Sequence, residues 1–323
     1  MTRLNRRHLV RLMGATALSG CAPALLTAQL GDDPFEGGIG GTGIVGLMTG
    51  AGSVLVNGLR VELPSNVRIN AGGRAAGDSL LVPGAALSMV ARSRLGRFEA
   101  QQIDVDAPLI GTVTRVGRGH AINGTSLHLD TARSAFSVIG QRVVAHGLWQ
   151  PDGSLNASLL QRAPQAGDSV AGVAMGSPDA GWRIGQTPVA LKGGDILIAG
   201  QFAVVSGRYA GGTLTAASVQ LGRFRGGQSL RQLSIEGYLE AIDAAPGFRI
   251  AGLGHSFDRR LTLDSFVQSR AVYFGPYDGR FRARRAVVLP EPQRLRQALL
   301  HPEVGESFAK GLSGAAAKPI ATR

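Results

Sequence analysis

Val54-Leu55-Val56-Asn57-Gly58-Leu59-Arg60-Val61-Glu62-Leu63 runs alternating apolar residues into Asn-Gly and resumes the alternation beyond it. Successive side chains of a strand point to opposite faces, and Asn-Gly supplies the two positive-φ residues of a tight hairpin. The stretch therefore reads as a β-hairpin. It returns as Gly119-His120-Ala121-Ile122-Asn123-Gly124. Altered versions follow as Gly181-Trp182-Arg183-Ile184-Gly185-Gln186 and Gly247-Phe248-Arg249-Ile250-Ala251-Gly252. These two lack Asn-Gly, a weaker signal that also suits longer loops.

Two further anchors recur around the hairpin in fixed order. Ahead of it a glycine sits among apolar residues, at Gly46, Gly111, Gly172 and Gly237, with spacings of 65, 61 and 65. Behind it comes a Gly-x-apolar-x-Ala pattern, at Gly96–Ala100, Gly153–Ala157, Gly212–Ala216 and Gly279–Ala283. Three anchors repeated four times define a tandem array. Each copy carries about five short strands. A chain of ~60 residues buries only about 60% of its unfolded surface, so closing each sheet into a barrel, which removes its edges, is the favoured solution. The fold expected is all-β: four small antiparallel OB-like barrels over 44–108, 109–166, 167–232 and 233–291. A sandwich built from two repeats is the alternative.

Gly37-Gly38-Ile39-Gly40-Gly41-Thr42-Gly43, followed by Gly50-Ala51-Gly52-Ser53 and the first hairpin, resembles the opening of exported bacterial proteins of the domain of unknown function 5666 family. The resemblance is closest over 37–63 and extends more loosely to about 291. It implies arrays of small β-rich repeats and an exported location, and it brings no catalytic residue.

The N-terminus reads as an address. Arg3, Arg6, Arg7 and Arg11 precede a short, weakly apolar run from Leu12 to Leu18. This is the layout of a secretory signal. Leu18-Ser19-Gly20-Cys21 resembles a bacterial lipobox, which makes residues 1–20 a signal peptide and Cys21 the lipid-modified first residue of the mature chain. Arg6-Arg7 resembles a twin-arginine export signal, with Asn5 departing from its usual pattern; general secretion is the alternative. Ala22 rather than Asp after the cysteine favours outer-membrane over inner-membrane sorting. Residues 21–43 read as a flexible tether. Beyond 291 the pattern stops: Gln293–Leu300 suits one short helix, and 303–323 reads as disordered tail.

The chain of 323 residues holds 47 Gly but only 11 Phe, 4 Tyr and 2 Trp, a composition of strands and turns. One cysteine excludes an internal disulfide. The formal charge is +12, about +8 once the four signal arginines are removed. That balance favours anionic partners: lipid head groups, lipopolysaccharide or glycans. No nucleic-acid motif is present.

Residue patterns that carry chemistry are few in this chain. A two-residue turn at 123–124 sets His120 against Leu127 and leaves His128 out of register, so the two rings face opposite sides. No acid or cysteine completes a metal set there. Asp104-Val105-Asp106 puts two acids on one strand face and reads as a solvated strand edge, with a hard-cation site as the alternative. Trp149 reads as turn packing before Pro151-Asp152-Gly153, and Trp182 as packing at a repeat position. No nucleophile elbow, phosphate loop, dinucleotide fingerprint or HExxH is found. Arg280, Arg282 and Arg284 alternate with Phe281 and Ala283, which sets three arginines in a row outside a barrel, either a solvated face or an anion-binding surface.

These patterns lead to a non-enzymatic, periplasm-facing lipoprotein, held by lipid on Cys21, that binds or organises an anionic envelope component. No cofactor is expected. A structural spacer without ligand is the second reading, and a periplasmic metal-binding or hydrolytic enzyme the third.

Overall fold

The computed structural model describes residues 41–50, 54–94, 97–129, 138–163, 167–224, 230–241, 248–253, 270–277, 281–283 and 285–288. The architecture is all-β, with a closed five-strand barrel and further sheets.

The first copy contains β1 (Gly41–Gly50), β2 (Val54–Val56), β3 (Leu59–Glu62), the short hairpin β4 (Arg68–Ala71) and β5 (Arg74–Ala75), then β6 (Ala86–Arg94) and β7 (Arg97–Asp106). Pairing runs β1–β2–β3–β7–β6 and back to β1. All these contacts are antiparallel except β3 with β7, which is parallel at Val61↔Phe98. The β4–β5 hairpin, an addition to the five expected strands, lies along β7.

The second copy contains β8 (Leu109–Thr112), β9 (Thr114–Val116), β10 (Gly119–Ile122), β11 (Thr125–His128), β12 (Arg142–Trp149) and β13 (Leu155–Arg162). Its first strand is broken at Val113 into β8 and β9. Pairing runs β9–β10–β11–β13–β12–β8. The parallel contact is Leu127↔Leu155.

The third copy contains β14 (Asp168–Ser177), β15 (Gly181–Ile184), β16 (Thr187–Ala190), β17 (Phe202–Ala210) and β18 (Thr213–Leu221). It closes as β14–β15–β16–β18–β17–β14, with the parallel contact at Val189↔Leu214. Closure onto the starting strand within a copy is not the pairing of a two-repeat sandwich. In the fourth copy, β19 (Leu230–Ala241) pairs β20 (Phe248–Ile250) and β21 (Arg270–Pro276), and β21 pairs β22 (Arg285–Val288).

The apolar residues of the third anchor decide the register. Phe98, Leu155 and Leu214 make the parallel contacts, and with Phe281 they are buried. Two positions on, Ala100, Ala157, Ala216 and Ala283 are buried as well. In the first three copies a β-bulge precedes this pairing, at Val90/Ala91, His146/Gly147 and Ser206/Gly207. A bulge sharpens local twist, which helps a short sheet curl closed.

The Asn-Gly pairs form the expected turns, with φ of 57° and 78° at Asn57-Gly58 and 50° and 78° at Asn123-Gly124. Gly185-Gln186 is also a two-residue connection, since Ile184 pairs Thr187; the longer loop allowed for there does not form. Gly185 carries the positive φ, 57°, which glycine adopts without strain.

Two junctions tie the copies together through their first strands. β1 runs parallel to β19 over Gly41↔Leu230 to Val45↔Ile235. β8 pairs β14 antiparallel at Ile110↔Ser169 and Leu109↔Val170. The first junction moves two boundaries. Residues 41–43, expected in the tether, are strand, and β19 begins three residues before 233. A side chain at Gly43 would meet Leu233 at 2.5 Å, so glycine lets the two strands approach. The cores merge accordingly. One spans the second and third copies and takes in Leu47, Ala86, Tyr238 and Ala251. A second fills the first barrel with help from Val272 and Phe274, and a third fills the fourth copy with help from Val45.

Candidate functional site

The polar side chains of greatest chemical interest lie where the copies meet. Glu236 occupies the β19 position that holds Val45, Ile110 or Ala171 in the other copies. Its Oε1 accepts from Arg270 Nε at 2.9 Å and Nη2 at 2.7 Å, and the two side chains are 2% and 4% exposed. Its Oε2 accepts the backbone N–H of Leu47 in the first copy at 2.8 Å. A bidentate guanidinium and a backbone donor offset the large cost of removing this carboxylate from water.

Asp106, at the end of β7, binds Arg223 of the third copy and accepts the hydroxyl of Ser88. The two charged side chains are 16% and 8% exposed, and the guanidinium stacks 3.8 Å from the centre of the Phe202 ring. This corrects the reading of Asp104-Val105-Asp106 as a solvated edge. The third copy closes over the end of β7, so only Asp104 stays near its own sheet, accepting from Asn70 and Gln102. Burial raises the Asp106 pKa, with Arg223 and the Ser88 hydroxyl opposing the rise.

His146 is 1% exposed. Its Nδ1 lies 2.9 Å from the backbone oxygen of Asp106, an acceptor, so Nδ1 carries the hydrogen and donates it. Its Nε2 faces Gln161 at 3.2 Å. Burial lowers the imidazole pKa, and the bonds to Gln161 and Asp106 oppose the shift.

A common device stands behind the hairpin turns. Asn57 Nδ2 donates to Val45 O at 3.0 Å and to Ser234 Oγ, across the junction, at 3.0 Å. Asn123 Nδ2 donates to Ile110 O at 2.9 Å and to Ser169 O, across the other junction, at 3.2 Å. Each amide lies over the first-anchor glycine of its copy; a side chain on Gly46 or Gly111 would overlap it. The third copy has no asparagine there, and Trp149 of the second copy takes the place. Its Nε1 donates to Ala171 O at 3.0 Å, the carbonyl equivalent to those of Val45 and Ile110. Its indole lies against Gly172, Gly185 and Gly252. Trp149 is therefore an interior side chain at the meeting of three copies. Trp182, partly buried, packs against the shared core as expected.

His128, Ser154 and Asp152 form a chain that brings hydrolytic triads to mind. The order excludes that chemistry. Ser154 Oγ donates to Asp152 at 2.6 Å, and His128 Nε2 reaches the same hydroxyl at 3.1 Å. The serine is fully buried and its proton is held by the carboxylate, so no base activates it. His120 pairs Leu127 in the expected register, and His128 lies on the other face. Among the described residues, no three His, Cys, Asp or Glu side chains converge.

Of the residues singled out from sequence, Arg6, Arg7, Cys21, Arg280 and Arg284 lie outside the described residues, as do the 293–300 helix and the tail. Arg282 is exposed between buried Phe281 and Ala283, as the alternation requires, and its N–H donates to Pro276 O at 3.1 Å. The polar centre was missed. Its one signal in sequence is Glu236, a charge inside the otherwise apolar repeat Ile235-Glu236-Gly237-Tyr238. No protein-family model, curated protein or solved structure matches the chain.

Proposed function

We propose that this chain is a non-enzymatic, lipid-anchored envelope protein, a row of four OB-type barrels that binds or organises an anionic envelope component. The observation that carries this reading is how the acid–base groups are spent. Glu236, Arg270, Asp106, Arg223 and His146 are bonded to one another or to backbone at the junctions, where they stiffen the array. Chemistry that needs accessible acids, bases or nucleophiles has no assembled group among the described residues. The strand order first–second–third–fifth–fourth, with the third and fifth parallel, supports the OB-type assignment in three copies. In the fourth, residues 254–269 lie outside the described residues, and the assignment there rests on the β20–β19–β21–β22 pairing and the repeat spacing. The lipobox-like run ending at Cys21, the resemblance over 37–63 and the +12 charge support export, anchoring and anionic partners.

Membrane fractionation of the parent and a Cys21→Ser variant tests the anchor. The variant is expected in the soluble fraction or as unprocessed precursor. Unchanged fractionation with an unchanged N-terminal mass overturns the lipoprotein reading. Cross-linking in cells, followed by identification of the attached molecule, tests the binding role. Absence of any reproducible adduct favours the spacer.

A further inference from the structure

One position of the repeat differs in charge from copy to copy. It comprises the residue after the bulge on the fourth strand and the residues paired with it on the fifth and third strands. In the first copy these are Arg92, Glu99 and Glu62, with Glu62 also 3.5 Å from Arg97. In the second they are Leu148, Asn156 and His128, and Asn156 donates to Tyr238 of the fourth copy at 2.7 Å, so a neighbour covers this face. In the third they are Arg208, Thr215 and Ala190. Both carboxylates of the first copy are gone here, and among the described residues Arg208 stays exposed on this face.

What remains is a groove of about 590 Å³ lined by Lys192, Ser206, Gly207, Arg208 and Thr215, among others. That is within the size range of small-ligand sites, roughly 300–1,000 Å³. Arg208 and Lys192 are exposed, and neither forms an ion pair with another described residue. Asp168, paired with Gly207 across the ladder, is already committed: it binds Arg142 at 2.8 Å and the Tyr209 N–H at 2.7 Å. Asp195 closes the turn begun by Lys192 and does not line the groove. Among the described residues, the groove thus combines two uncompensated cations with two hydroxyls. A guanidinium fork and an ammonium suit phosphate or carboxylate, and hydroxyls exchange hydrogen bonds with sugar hydroxyls.

We propose that this groove binds an anionic sugar unit, phosphorylated or uronic, with Arg208 and Lys192 on the charge and Ser206 and Thr215 on the hydroxyls. The inference rests on the reading of an anionic envelope partner and gives it a site. The test uses the full chain carrying Cys21→Ser and calorimetric titration at low salt. The probes are glucose 6-phosphate, glucuronate, glucose and inorganic phosphate. Both anionic sugars are expected to bind, glucose not at all, and phosphate alone at least about tenfold more weakly than its sugar ester. Arg208→Ala and Lys192→Ala should each weaken binding about tenfold, because a hydrogen bond to a charged group carries that much. Arg118→Ala, on another exposed hairpin, should leave it unchanged. Circular dichroism should show all variants folded. No binding, equal binding of phosphate and sugar phosphate, or an equal loss in Arg118→Ala overturns the site. If the sugars fail to bind while the membrane fraction still depends on Cys21, the groove falls and the anchored-envelope reading stands.

Discussion

The second and third copies share strand order, parallel contact and bulge position, yet they satisfy the same carbonyl with different atoms. In the second, Asn123 of the turn folds back over Gly111 and binds Ile110 O. In the third, the turn residue is Gly185, and the indole of Trp149 arrives from the preceding copy to bind Ala171 O. The requirement comes from the closed sheet. A first strand pinched by a glycine leaves a buried acceptor and a space above it, and both must be filled. An asparagine does so locally. A tryptophan does so only when the neighbouring copy is docked, so the third copy depends on the second at this point.

Trp149→Ala breaks the comparison most directly. Removing a buried tryptophan costs about 3–5 kcal/mol, and here an acceptor loses its donor as well. The expected outcome is a large fall in the denaturant midpoint, with amide exchange at Gly172 and Gly185 rising more than at Gly46 and Gly58. Gly185→Asn in the parent should also destabilise, since a side chain there overlaps the indole. Combined with Trp149→Ala, it installs the second copy's solution in the third. The double variant should be more stable than the sum of the single effects by roughly 0.5–3 kcal/mol. Strict additivity would show that the indole is not standing in for the amide.

Asn57→Gly and Asn123→Gly remove the local version. Glycine keeps the positive φ, so the change isolates the side chain. Each asparagine donates to its own copy and across a junction. A buried hydrogen-bonding group lost in this way costs about 1–3 kcal/mol, measurable by urea unfolding. The two variants should respond alike. An effect below about 0.5 kcal/mol in both would reduce Asn-Gly to turn propensity.

Much of the array was legible because it rests on periodicity and turn chemistry. Leu155 and Leu214 follow a glycine at fixed spacing and turn out to make the parallel closing contacts. Asn57 and Asn123 announce their hairpins. What stayed hidden depends on contacts between copies. Nothing adjacent to Trp149 marks it as the partner of Gly185. Asp106 resembled a strand edge because Arg223 is far from it in sequence. Glu236 carried a readable signal, since a carboxylate at a position that is apolar in the other three copies must be buried with a cation. The groove became visible only when Thr215 and Ala190 could be set beside Glu99 and Glu62 in register.

The smallest effect concerns the bulge, where the second copy has His146 and the third has Ser206. Ser206 lines an open groove, while His146 is sealed against Asp106 and Gln161. Its pKa is lowered by burial, so the unfolded chain takes up a proton more readily than the folded one. The imidazole therefore contributes its full stability above the unfolded value of about 6.5. That contribution is lost as pH falls from there towards the lower folded value, at most about 1.4 kcal/mol per pH unit. Asp106 acts with the opposite sign: its raised pKa favours the folded state as pH falls, and only at or below its own folded value. The two are separated by comparing the parent with His146→Gln, which keeps a hydrogen-bonding side chain and cannot titrate. Between pH 7.5 and 5 the parent should lose stability relative to the variant, with the difference growing below about 6.5. Ser206→Ala, at the equivalent position of the third copy, should track the parent across the same range. Parallel unfolding midpoints for parent and His146→Gln at every pH would mean that the imidazole titrates alike folded and unfolded, and that the second copy's bulge is no more sealed than the third's.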